Sequence, residues 1–417
     1  MSTPRRRSAG LLLAALLACA ARARADDAVH GRLKLLDFGN LSDGDSLDAA
    51  LGGRNTNDIE GEVRLMWEPR RDGWSFVLHD ELIGENGGNL LLSRSGAFVP
   101  GLNTPPQTWL NLTGKIYDRG RDRLVQNIDR LSIGYAGNDY VVRVGRQALT
   151  WGAGLVFHPM DLIDPFAPYA IDIEYKPGVD MGYLQWLFDD GSDVQAVAVP
   201  RSTSLNGPVS SDQSTYALHY RKTYGQFGTT ALLARDRGSW TMAAGVSGPL
   251  NGAVWNVEAL ETVDQAGRAT TTALLNVTRG WTLVGKDLTV YGEYFHNGFG
   301  VSRRGPVLTD LPVDLTRRLA DGRLFTVSAD YLAAGFSYSL TPLVTLSPNA
   351  ILNLNDRSIF TDLELAWSVS DNTSLKVGTQ IPIGRKRTEY GGLQIGQTSK
   401  TLFAPATSLY LLLLKHF

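Results

Sequence analysis

Apolar and polar residues alternate with a period of two over long stretches of this chain. Between Ile359 and Val369, the residues Ile359, Leu363, Leu365, Trp367 and Val369 fall on one face, while Asp362, Glu364 and Ser368 fall on the other. The same period sets Val63, Leu65 and Trp67 against Glu62, Arg64 and Glu68, and Leu375, Val377 and Ile381 against Lys376 and Gln380. Successive strand residues point to opposite sides of a sheet, so each stretch predicts a strand with one apolar and one charged face. A soluble sandwich would bury the apolar faces in a core. Charged faces repeated around a closed sheet instead need a wet interior, and the apolar faces then suit lipid.

Extending this reading along the chain predicts 18 strands, with 16 as the alternative count, separated by connections of two kinds. The connections 38–57, 85–125, 150–177, 202–212, 297–325 and 384–406 are long, and all follow odd-numbered strands. Every connection after an even-numbered strand has six residues or fewer. Membrane barrels have short periplasmic turns and longer outer loops, which predicts both termini in the periplasm. Trp67, Trp74, Trp186, Trp255, Trp281 and Trp367 cluster near the short connections, as a periplasmic aromatic girdle would. The expected fold is therefore all-β, a transmembrane antiparallel up-and-down barrel occupying residues 26–417.

The two ends fit this picture. Arg5, Arg6 and Arg7 precede an apolar run from Leu11 to Ala20, and Ala23-Arg24-Ala25 offers a cleavage site, so residues 1–25 read as a signal peptide. The run is too short for a spanning helix, which needs about 20 residues. Leu16-Leu17-Ala18-Cys19 offers a competing reading as a lipidation site, although Leu17 fits that pattern poorly. Cys19 is the only cysteine, so cleavage after Ala25 leaves a chain without disulfides. It also removes five arginines and no acid, leaving a net charge of −7, which argues against nucleic-acid partners.

The chain closes on Ser408-Leu-Tyr-Leu-Leu-Leu-Leu-Lys-His-Phe417, a strand-length apolar segment. Its terminal Phe417 resembles the sorting signal of Gram-negative outer-membrane barrels, with Lys415 departing from the usual apolar residue. That resemblance implies outer-membrane lipid and the barrel-assembly machinery as partners. A second resemblance lies in the segment from Val144 to Pro168. Its Gly145-Arg146-Gln147 followed by Trp151-Gly152 is similar to a stretch of porin-like outer-membrane proteins, including alginate-export-like channels and uncharacterised barrel families.

Glycines at 145, 152 and 154 permit a bend or a close backbone approach, while Pro159, Pro165 and Pro168 stiffen the loop beyond them. Such a loop suits an inward fold. By analogy with general porins, this would set Asp161, Asp164, Asp172 and Glu174 opposite wall residues Arg64, Arg130 and Arg143 as a pore constriction. The competing reading is an outer lid whose acids are solvated. Arg146 falls on the opposite parity from Arg143, so it is expected to stack on Trp151 or pair with Asp161.

Barrels of about 16–18 strands leave an aqueous channel. The expected function is passive passage of small polar solutes or saccharides, in a barrel that could form a homo-oligomer. The alternative is a plugged barrel that houses or anchors a periplasmic or export component. No nucleophile-elbow, zinc-protease or phosphate-loop motif is present and no cofactor is implied, so no enzyme is expected. His79, His219 and His296 lie in predicted strands and leave a barrel hydrolase as a minor alternative. Asp43, Asp45 and Asp48 lack full calcium-loop spacing and read as a solvated turn.

Overall fold

A computed structural model describes residues 29–94, 108–204 and 206–417. The cleavage site expected after Ala25 and the lipidation site weighed at Cys19 lie outside the described residues, as do residues 95–107 of the second long connection.

Eighteen antiparallel strands close into one barrel. The first nine are His30–Leu41 (β1), Asn55–Trp67 (β2), Trp74–Asn86 (β3), Asp122–Ala136 (β4), Tyr140–Gln147 (β5), Val179–Leu187 (β6), Asp193–Val199 (β7), Thr215–Tyr224 (β8) and Phe227–Asp236 (β9). The rest are Ser239–Leu250 (β10), Ala253–Val263 (β11), Ala269–Leu283 (β12), Lys286–His296 (β13), Asp330–Thr341 (β14), Val344–Asn353 (β15), Ile359–Ser370 (β16), Thr373–Ile383 (β17) and Thr407–His416 (β18). β18 returns to β1 with Arg32 opposite His416 and Leu41 opposite Thr407. Closure leaves no unpaired sheet edge, the condition for a sheet to cross lipid. It also brings the start of β1 and the end of β18 to the same rim.

All connections at that rim are short, as expected. Asn251-Gly252 shows how two residues suffice: φ is +49° and +81°, the left-handed pair of a type I′ hairpin turn. The opposite rim carries the long loops, with short helices at Leu47–Gly52 and Val313–Ala320. No helix among the described residues is long and apolar enough to cross a membrane. Thr113–Arg119 is an additional strand laid along β4, inside what the sequence presents as a long loop. β14 begins at Asp330 rather than near 326, because the Asn297 side chain takes the carbonyl oxygens of Thr326 and Ser328.

The predicted two-sidedness holds on the outer wall. Val63, Trp67, Leu363, Leu365, Trp367, Leu409 and Leu411 are all exposed, as lipid-facing positions should be. The interior is less uniform than the alternation implies. Arg32, Glu62, Arg64, Glu81 and Asp129 make a charged inner wall on β1–β4. Around β6–β15, many inward positions are instead apolar, among them Val197, Leu232, Leu260, Leu274, Phe295, Tyr331 and Ile351, with polar ones such as Gln195, Glu258 and Glu293 between them. An apolar inner wall needs a cover, and the segment between β5 and β6 supplies it.

Candidate functional site: the segment inside the barrel

The stretch from Ala148 to Gly178 enters the lumen and seats its own apolar residues on that wall. Trp151, Met160 and Ile163 pack against Val179, Met181, Val197, Leu232 and Leu260. Val156 and Phe157 pack against Leu274, Phe295 and Tyr331, the rings of Phe157 and Phe295 stacking with centroids 4.5 Å apart. Met160 is fully buried. This contact explains why a loop should be so apolar: it buries surface as a core element does.

Polar attachments fix its path. Trp151 donates to Gln195 on β7 at 2.8 Å and stacks on His219 of β8. Glu293 on β13 accepts the backbone amides of Leu155, Val156 and Phe157 at 2.6, 3.0 and 2.8 Å. Gly152 and Gly154 make this possible. A β-carbon on Gly154 would meet the Phe157 carbonyl oxygen at 1.8 Å, and Gly152 sits at φ +90° beside Glu258. The returning limb reaches β1, where Asp172 bonds Lys34 at 2.9 Å and Glu174 bonds Arg32 at 3.1 Å. Tyr175 lies beneath the guanidinium groups of Arg32 and Arg64, 4.6 and 4.3 Å from its ring centroid. Gly178 finally donates to Asp129 on β4 at 2.8 Å.

The seven candidate residues do not form two facing rows. Asp172 and Glu174 meet Arg32 and Lys34, which the sequence reading did not single out. Arg64 is held by Glu62, Glu81 and Asp129, and Arg130 by Asp129 and the carbonyl of Lys176. Asp161 pairs with Lys176 inside the loop itself. Asp164 is largely enclosed, with one carboxylate oxygen lacking a partner. Arg143 faces inward over the ring of Tyr183, at 5.4 Å.

Arg146 corrects an expectation. It bonds Asp180 at 2.9 and 3.0 Å and the carbonyl of Leu110 at 2.5 Å, and it meets neither Trp151 nor Asp161. Parity explains this. Val142 and Val144 point outward, so Arg146 starts on the outer side of β5, where the chain around Leu110 covers it and donates back to Asp180 at 2.8 Å.

Burial acts differently on the loop acids. It opposes ionisation of Asp172, but Lys34 and Arg32 outweigh it and hold the carboxyl below its ordinary pKa. At Asp164 burial prevails and pushes the pKa up to about 7, with Lys176 opposing and Asp161 assisting. On the short-turn side of the loop, a cavity of about 620 Å³ lies between Glu68, Arg70, His79, Arg130 and Arg143.

The three strand histidines have modest partners. His79 bonds Glu68, His219 bonds Thr230 and His296 bonds Asp330, and none bonds a serine hydroxyl among the described residues. In the first outer loop Asp43 caps the Asp45 amide and Asp45 pairs with Lys386.

No protein-family model and no curated protein matches the chain. Solved structures do. OccAB3 of Acinetobacter baumannii superposes with a TM-score of 0.55 at 11% identity, covering 94% of this chain and 100% of that one. OccK9 (OpdG) of Pseudomonas aeruginosa gives 0.53 at 14% identity, with 93% and 97% covered. OccAB2 of Acinetobacter baumannii gives 0.53 at 11%, again with 93% and 97% covered. At such identities the likeness speaks for architecture. The chain thus has the barrel fold of the Occ and Opd outer-membrane porins.

Proposed function

We propose that this protein is a passive channel of the Gram-negative outer membrane for small polar solutes, constricted by residues 150–177. The observation that carries this reading is the fastened inward segment. It fills the apolar side of a wide lumen and leaves charged side chains of β1–β5 on the other side. Arg130 and Arg143 present positive charge to the remaining space. Arg64, Asp172 and Glu174 fix the loop that bounds it, while Asp161 and Asp164 add negative charge within the loop. A narrow, poorly screened passage lined this way sorts solutes by charge and size.

In the same reading, residues 1–25 direct export and are removed after Ala25, Phe417 engages the barrel-assembly machinery, and the protein is not an enzyme. Intact-mass measurement tests the processing, since a diacylated Cys19 would overturn it. Planar-bilayer recording tests the channel. A stable open current is expected, and it should rise when Phe157–Pro168 is deleted. A correctly folded but silent barrel would instead support the alternative of a plugged barrel serving a partner, which the extensive filling of the apolar side favours.

A further inference from the structure

A second cavity, of about 250 Å³, lies at the long-loop rim on the other side of the inward segment. Phe38, Tyr169, Phe360, Tyr390 and Phe403 line it, contributed by β1, the inward segment, β16 and the last long loop. The rings are mutually placed, with Tyr169 and Phe360 at 5.7 Å and Phe360 and Tyr390 at 5.7 Å between centroids. Among the described residues, the charged side chains lining this cavity are Asp48 and Glu389, and none is basic. Arg121, the cation acting on nearby Asp58, bonds the Gly52 carbonyl and does not line the space.

Three polar donors of the cavity are already committed. Asn40 donates to Asp58, Ser408 to Asn40, and Gln380 to the carbonyl of Tyr169. Acceptors remain. Asp48 Oδ1 is enclosed and without a partner, whereas both Glu389 oxygens are satisfied by Val327, Tyr331 and Asn353. A space that offers aromatic faces and one unpaired carboxylate oxygen matches a ligand that brings its own donors and a positive charge.

We propose that this rim cavity binds small organic ammonium compounds, the aromatic rings enclosing the apolar body and Asp48 receiving the ammonium group. This deepens the channel reading by naming a solute class. Binding can be read without conduction, so a silent bilayer and a failed titration are separate outcomes.

The experiment is isothermal titration of the full chain, folded in detergent, with three probes of one size: phenethylamine, 2-phenylethanol and phenylacetate. At pH 7.5 the amine should bind at least about tenfold more tightly than the alcohol, and phenylacetate most weakly, since one charge contact of this kind is worth roughly 1–2 kcal/mol. Asp48→Asn should bring the amine down to the alcohol while leaving alcohol binding unchanged. Phe403→Ala should weaken both, and heat-modifiability on gels confirms that either variant is folded. Equal affinities for the three probes, preference for phenylacetate, glucose binding in place of the amine, or no binding by any probe would each overturn the proposal.

Discussion

The guanidinium of Arg32, on the first strand, meets the carboxylate of Glu174, in the inward segment, at 3.1 Å. Arg32 also pairs in register with His416 of the last strand, and His416 contacts Glu174 at 3.1 Å. The loop is thus tied to the seam that closes the barrel, so closure and loop placement support each other.

Replacing Arg32 by alanine tests that coupling. Arg32 is almost fully buried and bonds Glu62 at 2.8 Å, so its loss leaves buried carboxylates uncompensated. Breaking a buried ion pair from one side costs about 3–5 kcal/mol. The temperature at which the folded gel band disappears should fall, and bilayer currents should become noisier as the loop end is released. A variant as stable and as quiet as the parent would show the tie to be incidental.

Glu293→Ala addresses the other attachment. Three consecutive amides lose their acceptor, and each enclosed, unpaired amide costs about 1–3 kcal/mol. Because Phe157 remains seated on Phe295, the expected result is a loosened loop in an intact barrel. Single-channel conductance should rise and fluctuate, while solubilised protein keeps its strand content by circular dichroism.

Arg143→Ala should shift ion selectivity toward cations, since it removes a positive group facing the cavity that also holds Glu68. Neutralising Asp161 and Asp164 together should shift it the other way at pH 8.5, where Asp164 is ionised. Reversal potentials across a salt gradient measure both, and no change in either variant would place these residues away from the conduction path.

The strand count and the parity of long and short connections are legible, because each rests on local alternation; for 150–177 the freedom of glycine and the stiffness of proline leave an inward fold and an outer lid both open, and the structure shows the inward one. Partner choice is not legible. Whether Asp172 meets Arg64 or Lys34 depends on how far the returning limb travels along the wall, which no local pattern encodes. Arg146 was placed on the correct parity, but its partner Asp180 sits one strand away and its cover, Leu110, comes from a different loop. The apolar inner wall is hidden in the sequence for a related reason. Stretches such as Leu232 to Ala234 have small or apolar residues on both faces, so their period is weak. The apolar character of Trp151 to Phe166 was the one available hint that the interior held a complementary surface.

The closing strand carries its own test. Phe417 exchanges backbone hydrogen bonds with Gly31 at 2.8 and 2.9 Å, and its ring lies where a β-carbon on residue 31 would stand, about 2.1 Å away. Deleting Phe417 should sharply lower the yield in the outer membrane. Gly31→Val should do the same by displacing the ring while leaving the terminal residue in place. Full, heat-modifiable yield from the truncated chain would break the link between the terminal aromatic and insertion.

Two buried carboxyls should also contribute less stability as pH rises through the weakly acidic range. Asp164 has its folded pKa pushed up to about 7 by burial, whereas an unfolded aspartate titrates near about 3.9. Between those values the folded state holds a proton that the unfolded state has released, so raising the pH favours unfolding. The loss is complete above pH 7, with a ceiling of about 4 kcal/mol from a shift of about three units at 1.36 kcal/mol each. Part of the side chain reaches solvent, which lowers that ceiling. Glu389, in the last long loop, is raised to about 7 by burial and acts in the same direction. Burial holds His158 neutral and acts in the opposite direction over part of this range, so the test is the difference between parent and variant. Followed by the gel shift from pH 4.5 to pH 8.5, the unfolding temperature of Asp164→Asn should gain on the parent as pH approaches neutrality, and that of Asp164→Asn with Glu389→Gln should gain more, because an amide has no proton to lose. Curves of the parent and the double variant that run parallel across the range would show that neither carboxyl is held in its protonated form by the fold.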